Sequence, residues 1–176
     1  MLLAAACTPG PLTRFRQTLA AQDSATAALG GWCAAQGLAS PATITATPVL
    51  GGERVVPTDV PGLLALPTGQ RLGYRHVRLA CGSKVLSEAH NWYARERLTA
   101  EMNRVLDETD TPFGKAVAAL HFTRQRLGEA RGARFGCPHG TVLSHRARLV
   151  LPEGQPLAVV VECYTRANLT RPNRPT

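Results

Sequence analysis

Apolar residues run almost unbroken from Leu157 to Thr165, in the order Leu-Ala-Val-Val-Val-Glu-Cys-Tyr-Thr, behind the turn signal Pro152-Glu153-Gly154. A β-branched run of this kind, bounded by turn residues, predicts a strand buried on both faces. Side chains alternate along a strand, so Val160, Glu162 and Tyr164 share one side of it. Glu162 then stands among apolar neighbours, with no basic residue nearer in sequence than Arg166. Two readings are open for it. One is a carboxylate wetted at a sheet edge; the other is an acid/base or hydroxyl-binding group inside a small-molecule pocket.

Strand alternation and helical spacing organise the rest of the chain. Val142–Leu151 reads as a strand with Leu143, Ala147, Leu149 and Leu151 on one side and His145 among them, and Leu157–Tyr164 is its hairpin partner. Tyr74–Cys81 alternates, with Val77, Leu79 and Cys81 on the apolar side and Arg75 in line with them. After the turn Gly82-Ser83-Lys84, Val85–Tyr93 runs back beside it. Thr43–Leu50 is a further strand rich in β-branched residues. Leu12–Gly37 carries Leu19, Thr26, Leu29 and Trp32 at helical spacing, interrupted at Gln22-Asp23-Ser24. That predicts two helices, the second capped by Asp23 or Ser24 and ended by Gly37. Thr99 caps a helix bearing Met102, Val105 and Leu106, which stops before Thr111-Pro112. Phe113–Phe122 is a second short helix with Phe113, Val117 and Leu120 inward. Gly51–Gly69 reads as a loop with one helical turn, and the basic, glycine-containing stretch Thr123–Gly140 as a loop or lid. Helices, strands, a helix pair and strands again, without internal repeat, predict an α+β fold with an antiparallel β-sheet and flanking helices. The expected organisation is an N-terminal tail or signal remnant over 1–11, one domain over 12–167 and a frayed polar tail over 168–176.

Composition narrows the partners. A chain of 176 residues, 44% hydrophobic and 18% charged, is long enough for one domain with a real core and unlike a disordered one. The net charge of +8 is almost wholly arginine, Lys84 and Lys115 being the only lysines. The arginines are scattered singly without interleaved aromatics, so nucleic acid is not the expected partner, whereas anionic small molecules suit them. Five cysteines without CxxC spacing predict no disulfide framework and a reducing, cytoplasmic setting. No transmembrane span and no attached DNA-binding domain are expected. Met1–Cys7 looks like the end of a lipoprotein signal without its basic n-region, and a lipid anchor through Cys7 is the alternative if the true start lies upstream. Cys137-Pro138-His139 with His121 and His145 has irregular spacing, so no metal is expected, and no phosphate loop or nucleotide motif points to a cofactor.

Several short stretches together resemble a known family. Asp23-Ser24-Ala25-Thr26, Arg75 opening a strand that ends at Cys81, Thr111-Pro112-Phe113-Gly114, Arg146-Ala147-Arg148-Leu149 and Pro156–Glu162 occur in the order seen in chorismate lyase (chorismate pyruvate-lyase). Ser87-Glu88-Ala89-His90-Asn91-Trp92-Tyr93 and Asp110–Gly114 resemble still more closely a set of bacterial chorismate-lyase-like proteins. The resemblance implies a chorismate-lyase-like antiparallel sheet with a buried site closed by helical flaps. It puts Arg75 on the ring carboxylate, Glu162 at the ring hydroxyl, Phe113 where the family has a leucine and Ala25 where it has a ligand-contacting methionine. The implied activity is elimination of pyruvate from chorismate to give 4-hydroxybenzoate, in ubiquinone biosynthesis, by a monomer without metal or organic cofactor. Arg75 and Glu162 would be the catalytic pair, with Glu162 acting as base or acid. The alternative is a non-catalytic binding module for an aromatic or cyclohexadiene carboxylic acid, since the same fold serves as the effector-sensing domain of bacterial transcription regulators. From the residues alone, Arg75 and Glu162 on inward faces are either a buried ion pair or two ends of a ligand site.

Overall fold

The computed structural model describes residues 9–50 and 56–170. The helices are α1 (Pro11–Ala20), α2 (Ala25–Ala35), α3 (Val60–Leu63), α4 (Ala100–Glu108) and α5 (Phe113–Ala116). The strands are β1 (Ile44–Pro48), β2 (Leu72–Cys81), β3 (Lys84–Ala94), β4 (Thr123–Arg131), β5 (Leu143–Val150) and β6 (Pro156–Tyr164). They form one antiparallel sheet in the order β1-β2-β3-β6-β5-β4. The expected α+β architecture is therefore the one observed.

β6 lies between β3 and β5, and that position explains its composition. Ala158, Val160 and Tyr164 face α1, α2, α4 and α5, the inner side, while Val159, Val161 and Cys163 pack with Val60 and Leu64 of the α3 segment on the outer side. Every residue from Leu157 to Tyr164 is buried, so a solvated edge for Glu162 is excluded. Two clusters fill the inner side. Phe15, Leu29 and Trp32 cover one end of the sheet, and Leu106, Phe113 and Val117 cover the other. Helix starts follow the sequence signals: the Ser24 hydroxyl accepts from the Ala27 N–H at 3.3 Å and the Thr99 hydroxyl from the Met102 N–H at 3.1 Å. Gly37 ends α2 at φ 57°.

Three expectations change. Thr123–Arg131 is an edge strand and not a loop; it pairs with β5 through a bulge between Arg126 and Gly128. Its polar, arginine-rich sequence has no apolar alternation because one of its faces is largely wet. The stretch after Arg166 is not frayed as far as Thr170: Asn168 is 1% exposed, and its amide donates to the Leu86 carbonyl at 2.6 Å and the Thr165 carbonyl at 3.0 Å. The cysteines also pair. Cys33 of α2 is bonded to Cys81 at the end of β2, and Cys137 to Cys163 of β6, with Cα separations of 6.2 and 5.4 Å. Sequence spacing could not show that α2 packs on the end of β2, or that the loop after β4 folds over the outer face of β6. The reading of Met1–Cys7 as a signal remnant or lipid anchor lies outside the described residues. Among those residues no helix is long and apolar enough to cross a membrane.

Candidate functional site

Glu162 is the polar centre of the inner face. Arg124 of β4 reaches over β5 and donates from Nη1 to Oε1 at 3.0 Å and from Nη2 to Oε2, while the Tyr164 hydroxyl donates to Oε2 at 2.9 Å. A guanidinium that meets both carboxylate oxygens makes the strong, planar form of ion pair. The Arg124 and Glu162 side chains are only 12% and 7% exposed. Burial works against the charge on Arg124, but Glu162 beside it more than offsets this and holds the guanidinium above its ordinary range. Burial first, and then the Glu162 charge, push the Tyr164 phenol well above its ordinary value.

His145 stands opposite Glu162 in the β5–β6 register, its ring edge-on to Tyr164 at 5.2 Å. Its Nε2 lies 3.0 Å from Glu129 Oε2 without hydrogen-bond geometry. Glu129 is also paired with Arg16 of α1 and, at 3.5 Å, with Arg126. Burial lowers the His145 pKa; Glu162 and Glu129 oppose that shift, and Arg124 and Arg126 reinforce it. On the opposite face burial, reinforced by His76, lowers His90 to about 4. A histidine with a depressed folded pKa takes up fewer protons when native, so its contribution to stability is complete above the ordinary value of 6.5 and is lost as pH falls below it. The thermal midpoint should hold level above pH 7 and decline between pH 6.5 and 4. A midpoint that rises over that interval in a pH series would contradict the neutral-histidine assignment.

Ala25, Phe113 and Glu162 line one cavity, between the inner face and the start of α2 and α5, together with Asn91 and Phe122. Its volume is about 30 Å³, room for water but not for a ring-sized molecule. The packing above it is close: a Cβ on Gly114 would come within 2.5 Å of the Ser24 hydroxyl oxygen, so glycine lets α5 approach the α2 cap. Arg75 lies opposite Asn91, on the same face. Its Nη1 donates to the Thr111 carbonyl at 2.8 Å and its Nη2 to the Thr109 carbonyl at 3.2 Å, bracing the segment between α4 and α5. Burial lowers its pKa, against the nearby Tyr93, Asp107 and Asp110. Arg75 and Glu162 are thus not partners of each other; the cation that Glu162 meets is Arg124.

A second cavity of about 330 Å³ opens beside the first, lined by Leu19, Ala20, Asp23, Arg124, Arg126 and His145. Asp23 borders both, and its Oδ1 accepts the Arg124 backbone N–H at 2.8 Å. Arg124 and Arg126 escaped the sequence reading because their strand did. The available signals were the i, i+2 spacing of two arginines and a buried carboxylate that needed a cation.

No family model matches the chain. It is 40% identical over 181 residues to the uncharacterized protein y4mC of Sinorhizobium fredii, an alignment spanning 92% of this chain and 76% of that one. The chain belongs to the y4mC family. In structure this y4mC-family chain is similar to PhnF from Mycobacterium smegmatis, with a TM-score of 0.57, 10% identity and coverage of 85% of this chain and 67% of that one. It is also similar to the effector domain of PhnF, at 0.55 and 12% over 81% and 88% of the two chains. The possible transcriptional regulator YydK from Bacillus subtilis matches at 0.51 and 12% over 75% of this chain, which spans 62% of YydK. At such identities the likeness is one of fold.

These comparisons overturn the chorismate-lyase resemblance. The relative is an uncharacterized protein and the solved structures are regulators or a regulator's effector domain, so none of them supports a lyase, chorismate or a place in ubiquinone biosynthesis. The local geometry gives the physical reason. The motifs that carried the resemblance, around Ala25, Arg75, Phe113 and Glu162, are inward-facing positions of the shared fold, and the cavity at Glu162 is too small for chorismate.

Proposed function

We propose that this y4mC-family chain is a non-catalytic small-molecule-binding module whose ligand is a small organic carboxylate. The observation that carries the reading is the placement of Arg124 and Arg126 on the wall of the 330 Å³ cavity, with Glu162 behind Arg124. A guanidinium has five N–H donors, and Arg124 uses its two Nη groups on Glu162, so further donors remain to meet a carboxylate. Arg126 is half-exposed and, among the described residues, is held by a single 3.5 Å contact to Glu129, which leaves it able to turn towards an anion. The ligand's apolar part would lie against Leu19 and Ala20. Parting of the Asp23–Thr26 turn from α5 would extend the site inward past Ala25 and Phe113 to Phe122, and Arg75 would keep α5 in place from below. The solved effector domain of PhnF, which has this fold, adds support, since an effector domain is one that receives a ligand. Glu162, clamped by a guanidinium and a phenol, is suited to orienting a ligand and not to moving a proton.

Benzoate tests the proposal against its uncharged isostere benzamide. Benzoate at about 100 times its Kd would stabilise the fold by about 2.7 kcal/mol, a rise in thermal midpoint of about 5–10 °C. Benzamide should leave the midpoint where it is, and Arg126→Gln should remove most of the benzoate effect. Equal shifts from both compounds, or none from either, would count against a carboxylate site.

A further inference from the structure

On the outer face of the sheet, away from the proposed ligand cavity, strands β2 and β3 bring together three side chains used neither for the core nor for that cavity. We propose that His76, Glu88 and His90 form a binding site for a divalent transition-metal ion of the zinc class. His76 and His90 are directly opposed in the β2–β3 register, and Glu88 precedes His90 by two residues, so all three project from the same face. One ligand atom from each lies within 4.8 Å of the other two. Atoms about 2.0–2.1 Å from a tetrahedral zinc stand about 3.3 Å apart, so small side-chain rotations close the set.

The neighbours are arranged as a metal site needs them. His76 Nε2 and Glu88 Oε1 are 2.8 Å apart, and a cation bound to both would stand where they now meet. The Tyr74 hydroxyl meets His90 Nδ1 at 2.9 Å, which fixes the ring and makes Nε2 the ligating nitrogen. Arg78 Nε lies 3.4 Å from the other Glu88 oxygen, leaving Oε1 as the single ligating oxygen. The His76 and Glu88 side chains are 14% and 18% exposed, so the groups are largely enclosed, and the two imidazoles, stacked at 4.0 Å, would turn their edges towards a common point on binding. Two imidazoles and a carboxylate suit zinc, nickel or cobalt in preference to magnesium or calcium. Three protein ligands leave a coordination position open. The adjoining cavity of about 470 Å³, lined by Tyr74, His90, Trp92 and Arg146, is where a further donor would enter.

The test uses the full chain, stripped with EDTA and then titrated with Zn²⁺ by calorimetry and with Co²⁺ by visible absorbance. One equivalent of Zn²⁺ should bind, and Co²⁺ should show the d–d bands of a low-coordinate site. His90→Ala and the isosteric Glu88→Gln should each weaken binding by more than about 100-fold, and Tyr74→Phe by about 10–100-fold. His121→Ala, an exposed histidine elsewhere, should change nothing. Wild-type protein without stoichiometric uptake would overturn the site. So would uptake undiminished in Glu88→Gln and His90→Ala, or uptake that follows His121 or His139 instead. Thermal midpoints in EDTA show that each variant is folded. Benzoate binding is read on the opposite face, so either proposal can fail without the other.

Discussion

Replacing Arg124 by methionine should destabilise the protein by about 3–5 kcal/mol, the cost of stranding a buried carboxylate. Glu162 is 5% exposed, and Tyr164 alone would remain to meet it. Arg75 does not substitute, because it is committed to the carbonyls of Thr109 and Thr111. For a chain of this size the loss corresponds to a fall of about 10 °C in thermal midpoint. The double variant Arg124→Met with Glu162→Leu should recover most of it, because removing both charges removes the desolvation penalty as well. A single variant that melts like the wild type would show that Glu162 does not depend on Arg124. A double variant no better than the single would show that the pair is not the source of the loss.

The second large effect belongs to the Cys137–Cys163 bond. It closes a loop with a sequence separation of 26 and ties the segment after β4 to the outer face of β6. Loop-closure entropy for that length gives about 3–4 kcal/mol, within the usual range for a native disulfide. Cys137→Ala with Cys163→Ala should therefore lower the thermal midpoint by about 6–16 °C. Reduction of the wild type with dithiothreitol should give a fall at least as large, because Cys33–Cys81 opens too. Equal midpoints for oxidised and reduced protein would contradict the pairing.

What the sequence shows and what it hides divide along physical lines. β6 is legible because a strand buried on both faces has to be apolar at nearly every position, which makes Glu162 conspicuous. The inward placement of Arg75 follows from strand parity, and the Ser24 and Thr99 caps follow from side-chain chemistry. β4 is hidden because an edge strand can be polar along most of its length. With β4 went Arg124, so Glu162 was read without its partner. The disulfides are hidden because contact between α2 and the end of β2 is a property of packing and not of spacing. The lyase resemblance failed for a related reason. Short motifs at inward-facing positions mark a fold, and a fold hosts many functions.

The claim at the centre of this account, that a small carboxylate binds where Arg124 and Arg126 face the cavity beside Glu162, is tested most directly by an amide NMR titration with benzoate. The expected result is saturable shifts at Asp23, Arg124, Arg126, His145 and Glu162, with Tyr74, Trp92 and Val161 on the outer face unmoved. Shifts confined to the outer-face residues, or a spectrum unchanged at saturating benzoate, would contradict it.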